Sequence, residues 1–296
     1  MTEPSLTPKC DIILKKTLGF SQHDTDTAGM TYVYPVVSRR AGGVSIGINL
    51  NPNHACNWQC VYCQVPHLTI GTAPEINLPQ LESELDNLLA HIVYGSFMQK
   101  VPENLRTLQD IAFSGDGEST SSHAFPLVID IVKKLLIKYQ LLNHIKVILI
   151  TNGSLLDKKW VQIGLENLKT IQGEIWFKLD SATQEGRWRI NRTRQSSERA
   201  LAHLRIATHY CPTWIQTCVF AWHGNPPDEL EKQAYLQWLN TAVAQEIPIQ
   251  GVLLYGVARP VMQPETQEAV SQVDPFILEN WAKAIQELKI NVRINQ

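Results

Sequence analysis

Three thiols stand close together in the stretch Asn53-His54-Ala55-Cys56-Asn57-Trp58-Gln59-Cys60-Val61-Tyr62-Cys63, a C-x3-C-x2-C array. Its short gaps let side chains from one compact loop converge on a single metal centre. Thiolates are soft ligands, suited to iron–sulfur clusters or to zinc. Three of them on a four-iron cluster leave one iron without a protein ligand, and an open position is what chemistry needs, as at a catalytic zinc. Structural zinc is the rival reading, with His54 or His67 as the fourth ligand. Zinc sites usually add a distant second pair of ligands, and here only Cys211 and Cys218, on separate elements, are available. Three buried core cysteines fit poorly in a polar segment broken by Asn and Gln. Cys10 and Cys211 have no evident chemical role. Cys218 reads as a small buried hydrophobe or, if it points inward, as a hydrogen donor.

These thiols need elements to hold them, and the chain supplies a β/α alternation. Residues 44–49 alternate as a strand that runs straight into the cysteine segment. A helix follows over about 79–93, with Asn77 as cap, Pro79 in its first turn and Leu81, Leu85, Leu88, Leu89 and Ile92 on one face. Strands at 110–114, 146–151, 174–180, 214–221 and 249–255 alternate with helices near 124–139, 157–168, 196–209 and 227–245. A last helix near 275–288 leads to a short extra strand at 290–294. Six strands alternating with helices predict a parallel sheet with helices outside. Pattern alone leaves an open sheet and a curved partial barrel both standing. In either, ligands bind at the C-terminal strand ends. Those ends carry Gly115-Asp116-Gly117-Glu118, Thr151-Asn152-Gly153, Lys178-Leu179-Asp180-Ser181 and Tyr255-Gly256-Val257-Ala258-Arg259.

The chain has 296 residues, 44% hydrophobic and 18% charged, with a net charge of −2. That describes an ordinary globular protein with no global pull toward nucleic acid. No window is apolar enough for a membrane span, and the first residues do not read as a secretory signal, so a cytoplasmic protein without membrane contact is expected. Six cysteines are an even number, but a chain of this length does not need a disulfide framework. The expected division is an extension over 1–43, a main domain over 44–260 and a helical extension over 261–296.

The strand, the cysteine loop with Tyr62 before its third cysteine, and the βα units that follow resemble the radical S-adenosylmethionine (SAM) superfamily. The resemblance covers about residues 44–258. It implies a partial (β/α)6 barrel of parallel strands with helices outside. It also implies a [4Fe-4S] cluster on Cys56, Cys60 and Cys63, with SAM chelating the fourth iron. Tyr62 would lie by the adenine. Ser114 through Glu118 resembles the family's Gly-Gly-Glu motif for the SAM amino group, with Asp116 interrupting the glycine pair. Gly115, Gly117 and Glu118 are the expected contacts, Gly117-Glu118 first among them. Their chemistry also stands alone: glycines admit close backbone approach and a carboxylate pairs with an ammonium. Asn152, Asp180 and Ser181 resemble positions that meet SAM or substrate. Lys178 shares the strand face of Asp180 and would pair with the SAM carboxylate or with Asp180 itself. Arg189 and Arg192 are candidate carboxylate clamps.

The resemblance implies reductive cleavage of SAM to a 5′-deoxyadenosyl radical that takes hydrogen from a nucleoside, RNA or small metabolite. Gln216, Tyr255 and Arg259 are the expected substrate-facing positions. A one-electron donor of the flavodoxin or ferredoxin type is the expected partner. Ser38-Arg39-Arg40 and the Tyr255 to Pro260 segment look closer to the wyosine-type tRNA-modifying branch, although no second cysteine triplet for an extra cluster is present. Two other functions stand beside this one: an activase that installs a glycyl radical on a partner enzyme, and a zinc-binding module without catalysis.

Overall fold

The structure is a computed structural model that describes residues 29–38 and 42–295. Cys10, Arg39 and Arg40 lie outside them. Eight strands form one sheet in strict sequence order. They are β1 (Val33–Ser38), β2 (Gly43–Ile48), β3 (Leu108–Phe113), β4 (Lys146–Thr151), β5 (Glu174–Lys178), β6 (Thr213–Cys218), β7 (Ile249–Tyr255) and β8 (Val292–Asn295). β1 runs antiparallel to β2, and every other neighbouring pair is parallel. Between the parallel strands lie α1 (Leu78–Val93), α2 (Phe125–Lys138), α3 (Lys159–Lys169), α4 (Gln184–Asn191), α5 (Ser197–Tyr210), α6 (Glu229–Ala244) and α7 (Pro275–Glu287).

The strand order decides between the two architectures the pattern left open. Right-handed crossovers that always step the same way put every helix on one face of the sheet. A doubly wound sheet reverses direction and covers both faces. Here the order never reverses, so the sheet curls into a half-barrel with helices outside. β2 to β7 are the six expected parallel strands. β1 and β8 widen the sheet at its edges, and Pro35 sits in β1, an edge strand where a missing N–H is tolerated.

Alternation along the strands separates two environments. Ile46, Ile48, Ile111, Phe113, Val147, Leu149, Ile175, Phe177, Ile215, Val252 and Leu254 point to the helices and are buried in the main core. The α1 stripe of Leu81, Leu85, Leu88, Leu89 and Ile92 packs into it, each leucine worth about 1.5–3 kcal/mol of burial. Asn77 caps α1 by accepting from the Gln80 N–H at 3.1 Å. The opposite set, Ile150, Lys178, Gln216, Cys218 and Tyr255, lines the hollow of the half-barrel. Two elements differ from the sequence expectation. β1 arises from a stretch without clear pattern, and α4 lies between the expected strand at 174–180 and the expected helix at 196–209, where the pattern assigns no element.

Candidate active site

The cysteine loop leaves β2 and folds back under three separate pieces of the chain. A strap from 259 to 266 holds its second half: the Met262 N–H donates to the Cys63 carbonyl at 3.0 Å, the Gln263 amide to the Val65 carbonyl at 2.8 Å and the Thr266 hydroxyl to the Val61 carbonyl. The end of α4 holds its middle, with the Gln59 N–H on the Asn191 carbonyl at 3.2 Å and the Val61 N–H on the Ile190 carbonyl at 2.8 Å. The end of β4 holds its start, where the Asn152 amide donates to Asn57 Oδ1 at 2.8 Å. Beneath it, Val61, Tyr62, Ile190, Cys218, Phe220, Val257, Val261 and Val270 form a second apolar cluster.

The loop is also pressed against β3's exit. A Cβ on Gly117 would stand 2.1 Å from the Ala55 carbonyl, so only glycine fits there. Gly115 has φ +145 and faces Asn49. The Asn49 side chain clasps Asp116 twice: its amide donates to the carboxylate at 2.6 Å, and its carbonyl accepts the Asp116 N–H at 3.1 Å. The interrupting residue is therefore anchored by its own partner, with His54 Nε2 3.8 Å from the same carboxylate.

Cys56, Cys60 and Cys63 are half-buried and line one cavity of about 570 Å3, within the range of small-molecule sites. Among the described residues no three His, Cys, Asp or Glu side chains are grouped as ligands of one ion. The thiols share a cavity wall instead, which suits a group of cluster size. Each sulfur faces a donor: the Trp58 N–H for Cys56 at 3.5 Å, the Asn191 amide for Cys60 at 3.2 Å, and the Gln64 and Val65 N–H groups for Cys63. Burial nonetheless pushes the Cys56 thiol up to about 12, and the Cys60 and Cys63 thiols upward as well. Donors aimed at sulfurs that burial keeps protonated make sense when a metal replaces the protons. The residues fit a thiolate-bound iron–sulfur cluster.

The other expected site residues divide into two groups. Tyr62, Gly115, Gly117, Glu118, Asn152 and Lys178 line the same cavity, as do Gln216, Tyr255 and Arg259. Glu118 is buried, and burial pushes its carboxyl up while Thr120, Asn152 and Thr151 hold it down by hydrogen bonding. Its Oε1 accepts from the Thr151 hydroxyl at 2.7 Å, and its Oε2 from the Asn152 N–H at 2.7 Å. A carboxylate oxygen accepts more than one bond, so Oε2 retains capacity toward the cavity.

Asp180 and Ser181 are not on the cavity wall. Asp180 sits behind Tyr62 and accepts from the Tyr62 hydroxyl, the Asn191 amide at 2.7 Å and the Cys218 N–H at 3.0 Å. Its carboxylate organises the wall from behind. Ser181 is turned to Glu231 on α6, at 2.5 Å. Lys178 Nζ lies 3.8 Å from Asp180, donates to the Tyr255 hydroxyl at 2.7 Å and stands 5.1 Å from the centre of the Tyr62 ring. Burial is the largest single influence and would lower this ammonium, but Asp180 first, together with Tyr255, Cys60 and Cys218, raises it above its ordinary value. Arg189 and Arg192 are exposed and do not line the cavity. Asn191, which bridges Cys60 and Asp180, escaped the sequence reading because its helix did.

Residues 50–234, more than half of the chain, match the Radical SAM superfamily. The chain belongs to that superfamily. That superfamily uses a [4Fe-4S] cluster and SAM. Two solved structures share the fold. A radical SAM methyltransferase from Sphaerobacter thermophilus superposes with a TM-score of 0.57 at 11% identity, covering 89% of this chain and 68% of that one. SuiB of Streptococcus suis, bound to S-adenosylmethionine, gives 0.50 at 11% identity, covering 86% of this chain and 47% of SuiB. At such identity the likeness concerns fold alone. A curated protein named GTPase Obg, from Brachyspira hyodysenteriae (strain ATCC 49526 / WA1), is 30% identical over 128 residues, 42% of this chain and 16% of that protein. The GTPase name belongs to that protein. This radical SAM chain spans a small part of its length and has no Gly-Lys pair, hence no phosphate loop of the G-x4-G-K type. No helix among the described residues is long and apolar enough to cross a membrane.

Proposed function

We propose that Cys56, Cys60 and Cys63 hold the cluster, that Gly115, Gly117, Glu118, Asn152 and Tyr62 receive SAM, and that a substrate enters beside Lys178, Gln216 and Tyr255. One observation carries this: the three thiols, the Gly-Asp-Gly-Glu turn and a half-buried ammonium line one cavity at the C-terminal strand ends. A cluster held by Cys56, Cys60 and Cys63 would supply the one-electron reduction of SAM that this superfamily's chemistry requires.

The chain's own residues bind, orient and exclude water. Glu118 Oε2 offers an acceptor for the SAM ammonium, and the close approach at Gly117 keeps that acceptor near the cysteine loop. Tyr62 presents a ring whose tilt is fixed by Phe220, at 5.4 Å between centroids, and by its hydroxyl on Asp180. Lys178 holds a half-buried positive charge on the cavity wall, with one donor on Tyr255 and Asp180 at 3.8 Å behind it, which leaves a donor for the cavity. It therefore favours a carboxylate or phosphate in the cavity. The substrate reading that fits best is a small molecule or nucleotide with an anionic group beside the hydrogen that is removed.

The test is an anaerobic assay of the reconstituted, reduced protein with SAM. Formation of 5′-deoxyadenosine by the wild type, and its loss in Cys56→Ala/Cys60→Ala/Cys63→Ala, is the expected result. A colourless wild type that binds one zinc and leaves SAM intact overturns it.

A further inference from the structure

The outer side of the cysteine loop carries a feature that the cavity does not use. α4, the loop after it and the first turn of α5 bear five arginines around one tryptophan: Arg187, Trp188, Arg189, Arg192, Arg194 and Arg199. Two of the five serve structure. Arg187 is buried and donates to the Ser181 and Gln195 carbonyls at 3.1 and 3.3 Å, and Arg199 pairs with Asp157 at 3.2 Å. Arg189, Arg192 and Arg194 are exposed, and none forms an ion pair among the described residues. Trp188 is 46% exposed, with the Arg192 and Arg194 guanidinium carbons 6.0 and 5.3 Å from its ring centre. In a chain whose net charge is −2, this is a local concentration of positive charge around an apolar plate.

Its position is what gives it meaning. The backbone of the same helix end binds Gln59 and Val61, and Asn191, next to Arg192, donates to the Cys60 sulfur. The patch is thus one residue from a cysteine ligand, yet none of its residues lines the cavity. A substrate must enter through the cavity. An electron need only reach the loop from outside.

We infer that the Trp188, Arg189, Arg192 and Arg194 face docks an acidic one-electron carrier protein of the flavodoxin or ferredoxin kind. This rests on the reading that the triplet holds a redox cluster. Charge complementarity supplies the attraction and the encounter rate, and an exposed Trp flanked by Arg is the composition of an interface anchor. The step moves one electron: the carrier is oxidised by one, the cluster reduced by one, and no bond forms or breaks on this chain. An exposed tryptophan among arginines also suits stacking on single-stranded RNA. The placement outside the cavity favours the carrier, and the test separates the two.

The variants are Arg189→Glu/Arg194→Glu and the neutral Arg189→Gln/Arg194→Gln. Arg192 is left in place because its backbone closes α4 in the left-handed region, at φ 53. Reconstituted protein is reduced either by a bacterial flavodoxin kept reduced by its NADPH-dependent reductase or by photoreduced deazaflavin. Cluster bleaching gives the rate. The flavodoxin-driven rate should fall about tenfold or more with charge reversal, less with neutralisation, and should fall in the wild type as salt rises. Cluster content and the deazaflavin-driven rate should stay unchanged. Dye-labelled flavodoxin should also bind metal-free wild type and lose affinity for the charge-reversed variant, a readout that needs no cluster. Equal flavodoxin rates and affinities in wild type and variant overturn the proposal. So does loss of affinity for a single-stranded RNA oligomer with flavodoxin kinetics intact, which reassigns the face to nucleic acid. A wild type that takes up no cluster overturns the underlying reading, whatever flavodoxin does.

Discussion

Glu118 shows how much of the site depends on one side chain having only acceptors. Each carboxylate oxygen faces a backbone N–H that cannot turn around: Thr120 on Oε1 at 3.2 Å and Asn152 on Oε2 at 2.7 Å. The Thr120 and Thr151 hydroxyls can rotate, but the two amides cannot. Glu118→Gln keeps the size and must still set an NH2 against one of these N–H groups, whichever way the amide flips. The substitution should lower unfolding free energy by about 1–3 kcal/mol, the range for a buried donor left unmet. In the reconstituted enzyme it should cut 5′-deoxyadenosine formation by roughly tenfold or more, the magnitude of losing a charge-assisted contact. Denaturant melts of the metal-free protein separate the first effect from the second. An unchanged melt would show that the carboxylate is not held as the geometry describes.

α4 teaches a different lesson. It has eight residues, Gln-Glu-Gly-Arg-Trp-Arg-Ile-Asn, with a glycine inside and no apolar stripe, so periodicity gives it no signal. Its start is nonetheless built: the Thr183 hydroxyl accepts the Gly186 N–H at 2.9 Å and donates to Glu231 at 3.0 Å. Thr183→Ala removes that cap and should cost about 1 kcal/mol by denaturation. Because Asn191 closes the far end onto Cys60, the reconstituted variant should also lose its cluster faster to a chelator. Cluster retention equal to the wild type would mean that the helix end is held by the cysteine loop alone. The strands and long helices were legible because burial imposes period 2 or 3.6 on them, and Val147 to Ile150 or the α1 leucines announce it directly. The thiols, the Gly-Asp-Gly-Glu turn and Lys178 were legible because chemistry restricts residue type and spacing. What was not legible lies in polar contacts between distant segments: the Asn49 clasp on Asp116, the role of Asp180 behind Tyr62, and Asn191. A polar side chain in a loop has the same appearance in sequence whether it faces water or a sulfur.

The half-barrel itself makes the cysteine loop dependent on parts far away in sequence. Among the described residues the long helices pack outside the sheet, so loops and the short α4 close the hollow face. The cysteine loop is the one that crosses it, tied to α4, to the end of β4 and to the strap at 259–266. Behind two of those ties lies a small apolar cluster, in which Val61 and Tyr62 of the loop meet Ile190 of α4 and Val261 of the strap, separate from the main core that fixes β3 and β4. Their stability comes from this small cluster, from the hydrogen bonds and from whatever the three thiols bind, and a ligand that binds only the closed form adds to it by mass action. Stripping the cluster with a chelator should speed amide exchange in 51–71, 184–194 and 259–266 together, by about tenfold to a hundredfold for an opening made 1–3 kcal/mol easier. Exchange in Val147 to Ile150 and Ile175 to Phe177, buried between sheet and helices, should not change. Mass spectrometry of exchanged peptides reads all of these segments at once. Loosening of 51–71 without the other two would show that the ties act one by one rather than as a single closure. Loosening that reached β4 and β5 would show that the cluster supports the barrel as well as its mouth.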